Sequence, residues 1–149
     1  MDSQPVGLSR KTVLLLAIAT GIIVANLNYI QPIEGLIAHH FAISKAHVGV
    51  IATLSQLGYA LGLLLIVPLG DIFDRYHLIQ FMMGLSILSL LAAFWSPNVL
   101  VFTVAAGLIG VTSVAAQIII PFVAYLSPCI HQGRILGTVL SGLLTGVLL

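Results

Sequence analysis

Apolar residues in this chain come in long runs that are interrupted only by short polar clusters. The longest region without Asp, Glu, Lys or Arg covers 58 residues, from Tyr76 to Gly133, and the turn sequence Trp95–Asn98 is its one strong internal break. A transmembrane helix needs about 20 mostly apolar residues to cross about 30 Å of hydrocarbon. Cutting the chain at charges, prolines and polar clusters predicts these helices: 12–33, 48–69, 78–95, 99–125 and 135–149.

The last predicted helix has only 15 residues and no flanking charge, so it is too short to cross untilted. We therefore expect a truncated fifth helix and an incomplete N-terminal transmembrane domain over residues 1–149. The basic pair before residue 12 and the small-residue triplet Ala17–Ala19 are typical of a signal peptide. Cleavage there would leave too short an apolar core, so we interpret the first segment as a retained anchor.

Composition and charge support a membrane location. Hydrophobic residues make up 60% of the chain and charged residues 6%, against about 45–50% and about 25% in soluble domains. Arg10, Lys11, Arg75 and Arg134 fall on one side of the predicted spans and only Lys45 on the other, which places the N-terminus in the cytoplasm. We expect a multi-pass protein embedded in the lipid bilayer of a bacterial inner membrane. No basic cluster suits nucleic acid.

Several amide and phenol side chains lie inside the predicted spans, away from the interfaces. Those that lie three apart share a face of a helix. They could serve as hydrogen-bonding contacts between helices, or they could line a hydrated cavity for a polar or amphipathic small molecule. Both interpretations stay open for the candidate cavity residues, which are Asn26, Asn28, Tyr29, Gln56, Tyr59 and Gln117.

Glu34 is a carboxylate at the end of the first predicted span, two residues after Pro32. In a water-filled vestibule it could titrate and carry a proton, and the alternative is a solvated interfacial residue. His39, His40 and His47 share its loop, but their spacing fits no closed set of metal ligands. We therefore predict no metal and no cofactor. No nucleophile-base pair lies at depth, so we predict that the protein is not an enzyme.

Glycines spaced four apart, Gly58 with Gly62 and Gly142 with Gly146, predict close approach of helix backbones. Asp71 follows the second span, where the helix macrodipole is negative and a carboxylate is unfavourable. Either Arg75 or the N-terminus of a neighbouring helix could offset that charge. The alternative is a charged turn that keeps the loop in water.

The segment Val67–Arg75, between the second and third spans, resembles the cytoplasmic signature loop of the major facilitator superfamily. Gly70, Asp71 and Arg75 occupy the positions of its small residue, its Asp and its Arg. Ile72 stands where that loop usually has a basic residue. The spacing of three further glycines is similar to a motif in the fifth helix of the superfamily's proton-coupled antiporters: Gly133, Gly142 and Gly146.

This resemblance implies an all-α membrane fold in which the chain supplies four helices and a truncated fifth of a twelve-helix bundle. It also implies proton-linked transport of small molecules by alternating access. Gly70, Asp71 and Arg75 would then form a conformational latch against a C-terminal half, and the chain alone would be inactive. Two alternatives remain: a small multispan protein that assembles with other membrane proteins, and a four-helix exporter acting as a homodimer.

Overall fold

The computed structural model describes residues 8–148, and these form helices joined by short turns. The helices are α1 (Arg10–Asn28), α2 (Glu34–His40), α3 (Lys45–Ile72), α4 (Arg75–Phe94), α5 (Val99–Thr112), α6 (Ala115–Leu126) and α7 (Gln132–Leu148). Within the described residues, four stretches are long and apolar enough to cross a membrane: Arg10–Asn28, Lys45–Ile72, Arg75–Phe94 and Val99–Leu126. The predicted all-α membrane fold with four spanning helices is confirmed.

The first helix is shorter than predicted, because α1 ends at Asn28 instead of residue 33. Gln31 precedes Pro32, and a residue before proline is disfavoured in the helical conformation. The chain turns here instead, with the Gln31 N–H donating to the Asn28 carbonyl at 3.2 Å. The segment between the first two predicted spans, which contains Glu34 and the three histidines, includes a helix of its own, α2.

The helices α3 and α4 each begin three residues before their predicted starts. Ser44 caps α3 by accepting the backbone N–H of His47, and Asp74 caps α4 by accepting the N–H of Tyr76. These caps satisfy N–H groups that have no partner within the helix, so the polar first turns stay helical outside the apolar run. Pro68 lies inside α3, which continues to Ile72.

The fourth predicted span is broken at Ser113 and Val114, between α5 and α6. Ser113 donates its hydroxyl to the Ile109 carbonyl at 2.7 Å, and the Val114 N–H donates to the Val111 carbonyl three residues back at 3.4 Å. Such back-bonding hydroxyls and three-residue bonds tighten a helix locally. Both residues are almost fully buried, so the break lies inside the protein.

The chain forms two compact units, one comprising Met1–Ala25 with Ala116–Leu149 and the other Asn26–Ala115. In the second of these, a hydrophobic core joins the turn after α1, α2, α3 and α5 around Ile30, Ile37, Val48, Ile51 and Ala106. The rings of Phe41 and Phe102 pack against this core with their centroids 5.4 Å apart. This core packs the short helix α2 against the start of α3.

Candidate functional site

The loop between α3 and α4 holds an ion pair. Arg75 Nη2 donates to Asp71 Oδ1 at 2.7 Å, and Arg75 Nε donates to the Gly70 carbonyl at 3.1 Å. The Arg75 guanidinium therefore satisfies a carbonyl at the end of α3 and offsets the charge of the Asp71 carboxylate. Arg75 was one of the two groups that the sequence offered for this role. The Asp71 side chain is 72% exposed, so the pair contributes at most about 1 kcal/mol to stability.

Asp74 forms a second charged contact in this loop. Its carboxylate accepts the backbone N–H of Tyr76 at 3.1 Å and the Nδ1–H of His77 at 3.0 Å. These two hydrogen bonds, the backbone one first, lower the pKa of Asp74 below its usual range. The role of His77 was not predicted from the sequence, although an Asp followed three residues later by His at a helix start is the readable signal.

The candidate cavity residues divide between the two units. Asn26, Asn28, Tyr29, Gln56 and Tyr59 belong to the unit Asn26–Ala115, and Gln117 on α6 belongs to the other. The expected helical face shared by Asn26 and Tyr29 does not form, because α1 ends at Asn28 and Tyr29 lies in the turn after it. The same holds for Asn28 with Gln31, since Gln31 is also in that turn.

Gln56 differs from the other candidates. It lies near the middle of α3 and is exposed, and its side chain has no hydrogen-bond partner among residues 8–148. Tyr59, one turn further along, is half-buried and has a polar or ring partner. The amide of Gln56 is therefore not a contact between helices within the part of the chain that the structure describes.

The most deeply buried polar side chains of the spans are hydroxyls. Thr20, Thr112 and Ser113 are at most 2% exposed, and each donates to a carbonyl four residues back in its own helix. Ser55 on α3 is 1% exposed, and its Oγ is the one buried side-chain polar atom without a partner in the described residues. The hydroxyls of Thr20, Thr112 and Ser113 are thus satisfied by their own helix backbones, whereas that of Ser55 is not.

Glu34 lies in the first turn of α2 and is half-buried, outside the candidate spans. Its helix N-terminus is a favourable place for a carboxylate. His39, His40 and His47 are exposed, and His47 Nδ1 lies 2.8 Å from the Ser44 hydroxyl. Within residues 8–148, no three His, Cys, Asp or Glu side chains lie close enough to hold a metal ion.

Glycines set the contact between α3 and α5. A Cβ on Gly58 would strike the Gly107 carbonyl, and one on Gly62 would lie 2.9 Å from the Val111 carbonyl oxygen. Reciprocally, a Cβ on Gly110 would strike the carbonyl of Ser55. The two backbones therefore touch, which is how membrane helices gain packing energy without a hydrophobic force between them.

A similar contact joins α1 and α7 in the other unit. A Cβ on Gly142 would strike the Ala17 carbonyl, and one on Gly146 would strike that of Gly21. Gly133 makes no such contact, because a Cβ there would meet nothing within 4 Å. The partners Ala17 and Gly21 were not predicted, although they too are small residues four apart.

Comparison with known proteins supplies the family. The sequence model of the Major Facilitator Superfamily matches residues 13–149. The chain is 42% identical over 142 residues to the uncharacterized transporter YgaY of Escherichia coli O157:H7, which covers 95% of this chain and 36% of that protein. It is 32% identical over 133 residues to the probable transporter SCO4007 of Streptomyces coelicolor, covering 89% of this chain and 31% of that protein.

The chain thus spans about a third of the length of these relatives. No solved structure matches it at a significant level. The family match covers all four candidate spans almost completely and includes the loop with Asp71 and Arg75. The chain therefore belongs to the Major Facilitator Superfamily, a family of membrane transport proteins and not of enzymes.

Proposed function

We propose that the chain is part of a proton-linked transporter of small molecules that works by alternating access. Its family and its relatives named as transporters support membrane transport in general. A substrate path through this chain is supported by Gln56, whose amide is exposed near the middle of an apolar span and has no hydrogen-bond partner among residues 8–148.

An amide facing hydrocarbon would leave its N–H and C=O groups without partners, which costs free energy. Gln56 therefore faces water or a polar group beyond the described residues, and a substrate cavity provides both. Asn26, Asn28 and Tyr59 belong to the same unit and are half-buried, so they are the further candidates for that cavity. Amides and phenols donate and accept hydrogen bonds, which suits a polar or amphipathic substrate.

The loop with Gly70, Asp71 and Arg75 is the proposed conformational latch. Its ion pair is exposed and of low stability, so the Asp71 carboxylate can exchange its partner at small cost. Glu34 is the proposed proton carrier, because it lies half-buried at a helix N-terminus near the end of a candidate span.

The 149 residues alone are not expected to transport. Alternating access in this superfamily rocks two halves around a central site, and this chain spans about a third of its relatives. The C-terminal half is therefore a required partner. We place the transporter in a bacterial inner membrane with the N-terminus of the chain in the cytoplasm, from the distribution of basic residues.

A chimera tests the proposal. This chain replaces the matching segment of the Escherichia coli relative, and the product is reconstituted into liposomes that contain a pH-sensitive dye. Small polar and amphipathic compounds are then added one at a time. We expect at least one compound to change the internal pH with the chimera and none with the 149-residue chain. Saturable, proton-driven uptake by the chain alone would contradict the requirement for a second half.

Two variants of the chimera test the cavity. Gln56→Leu should abolish or strongly reduce the flux, whereas Leu57→Ala, at the same depth but on another side of α3, should retain most of it. Leu57 is 52% exposed, so its truncation leaves no internal cavity. Equal flux in both variants would remove Gln56 from the substrate path.

The alternative role as an assembly protein depends on free glycine surfaces. Gly58, Gly62, Gly142 and Gly146 are instead in contact with helices of the same chain. No observation therefore favours this role over transport. Chemical crosslinking in membranes distinguishes the two, because an assembly protein would capture one defined partner protein.

A further inference from the structure

A positively charged cleft of about 510 Å³ opens where α1 and α7 begin, within the unit Met1–Ala25 with Ala116–Leu149. Arg10, Arg134 and His131 contribute its polar wall, and Val13, Leu14 and Ile135 contribute its apolar wall. Both helices start at this cleft, so it lies at one end of the candidate span Arg10–Asn28. That end of a span coincides with the headgroup level of a bilayer.

Within residues 8–148, the arginines of this cleft have no counter-ion. The described part of the unit contains Arg10, Lys11 and Arg134 but no Asp or Glu, and neither arginine of the cleft forms an ion pair within residues 8–148. Arg10 is the first residue of α1 and Arg134 the third residue of α7. A helix N-terminus carries partial positive charge, so each guanidinium lies where a cation is unfavourable. A bound anion would relieve the repulsion at both helix ends.

The chemistry of the two walls selects the class of anion. A guanidinium presents paired N–H donors that match a phosphate group, and two of them line one cleft. The apolar residues Val13, Leu14 and Ile135 continue from the arginines along the first turns of the helices. We propose that this cleft binds the phosphate of an anionic phospholipid headgroup, with the acyl chains lying along the apolar wall.

Native mass spectrometry of the purified chain tests the proposal, with phosphatidylglycerol and phosphatidylcholine as probes. Replacing both arginines, Arg10→Gln with Arg134→Gln, should weaken phosphatidylglycerol binding by roughly 30-fold. The control has the same change in net charge, Lys11→Gln with Lys45→Gln, and neither lysine lines the cleft. It should bind phosphatidylglycerol nearly as the unmodified chain does. An equal loss in both double variants would overturn the proposal.

A soluble anion is the other source of the same chemistry. Inorganic phosphate at millimolar concentration should not displace phosphatidylglycerol, because it lacks contacts with the apolar wall. Binding of inorganic phosphate that depends on Arg10 and Arg134, without phosphatidylglycerol binding, would overturn the lipid assignment.

A second variant tests the cleft independently, in case the double arginine variant misfolds. Thr138 also lines the cleft, so Thr138→Glu would place a carboxylate beside the two guanidinium groups. We expect it to abolish phosphatidylglycerol binding, whereas Thr145→Glu, two turns further along the exposed side of α7, should not. Unchanged binding in Thr138→Glu, with helicity retained, would exclude the cleft as the site.

Discussion

Replacing Gly110 with alanine should separate α3 from α5. The added Cβ would strike the Ser55 carbonyl oxygen and would lie 2.9 Å from the Ser55 carbonyl carbon and 3.1 Å from the Tyr59 nitrogen. All three are backbone atoms, so no side-chain rotation can make room. The two helices must move apart, and the contacts at Gly58 and Gly62 weaken with them.

Gly107→Ala is the matched control, because Gly107 lies one turn earlier in α5 and a Cβ there would meet nothing within 4 Å. Alanine is a better helix former than glycine by about 1 kcal/mol, and this gain is common to both variants. Overpacking costs about 1–3 kcal/mol and falls on Gly110→Ala alone. The difference in the free energy of unfolding between the two variants should therefore be about 1–3 kcal/mol.

The assay is unfolding of the purified chain in mixed detergent micelles, followed by circular dichroism and by the mobility of a spin label on α5. Gly110→Ala should lower the unfolding midpoint relative to Gly107→Ala and should loosen the label. Equal midpoints for the two variants, or a higher one for Gly110→Ala, would refute the close approach of α3 and α5.

Three further predictions concern single positions. Ala42 has a left-handed backbone (φ 51°) after α2, so Ala42→Gly should stabilise the chain by up to about 1 kcal/mol in the same unfolding assay, and a loss of stability would contradict this interpretation of the turn. The pKa of Asp74 is lowered in the folded chain. The ionised Asp74 carboxylate therefore stabilises the folded chain above the ordinary pKa of a carboxyl, and this stabilisation is lost as pH falls through the lowered pKa. Thermal unfolding from neutral to acidic pH should therefore show a weaker acid dependence in Asp74→Asn than in the unmodified chain. Cys129, the only cysteine, is exposed in the turn before α7. With the N-terminus in the cytoplasm, an impermeant thiol reagent should label Cys129 only after cells are permeabilised, whereas Ser44→Cys in a Cys129→Ser background should react in intact cells. The reverse labelling pattern would mean that the orientation in the membrane is the opposite one.

Hydropathy located the four candidate spans because charged residues are disfavoured at every position of a stretch that crosses hydrocarbon. It located the helix ends less well, because ends depend on single hydrogen bonds. The predicted starts at residues 48 and 78 missed the first turns of α3 and α4, whose caps Ser44 and Asp74 are readable from the sequence. Where a cap directly precedes the apolar run, as Asn98 does, the predicted start at Val99 is correct.

Contacts between segments that are distant in the chain could not be predicted from the sequence. The pairing of Asp71 with Arg75 could be expected because the two residues lie four apart. The contact partners of Gly58 and Gly142 could not be predicted, because a single sequence does not show which helices pack against each other through their small residues. The break at Ser113 also escaped, since a buried hydroxyl can bond its own helix with or without interrupting it.

The length of α3 has a consequence for its charged end. Twenty-eight residues at about 1.5 Å each give about 42 Å, against about 30 Å of hydrocarbon. Fitting the whole helix within that layer would need a tilt of about 45°, steeper than membrane helices adopt. Part of α3 must therefore project into the aqueous phase, and Pro68 does not end it early. With Lys45 at one terminus and Asp71 near the other, each ionised group can stay hydrated while the apolar middle of the same rod remains immersed.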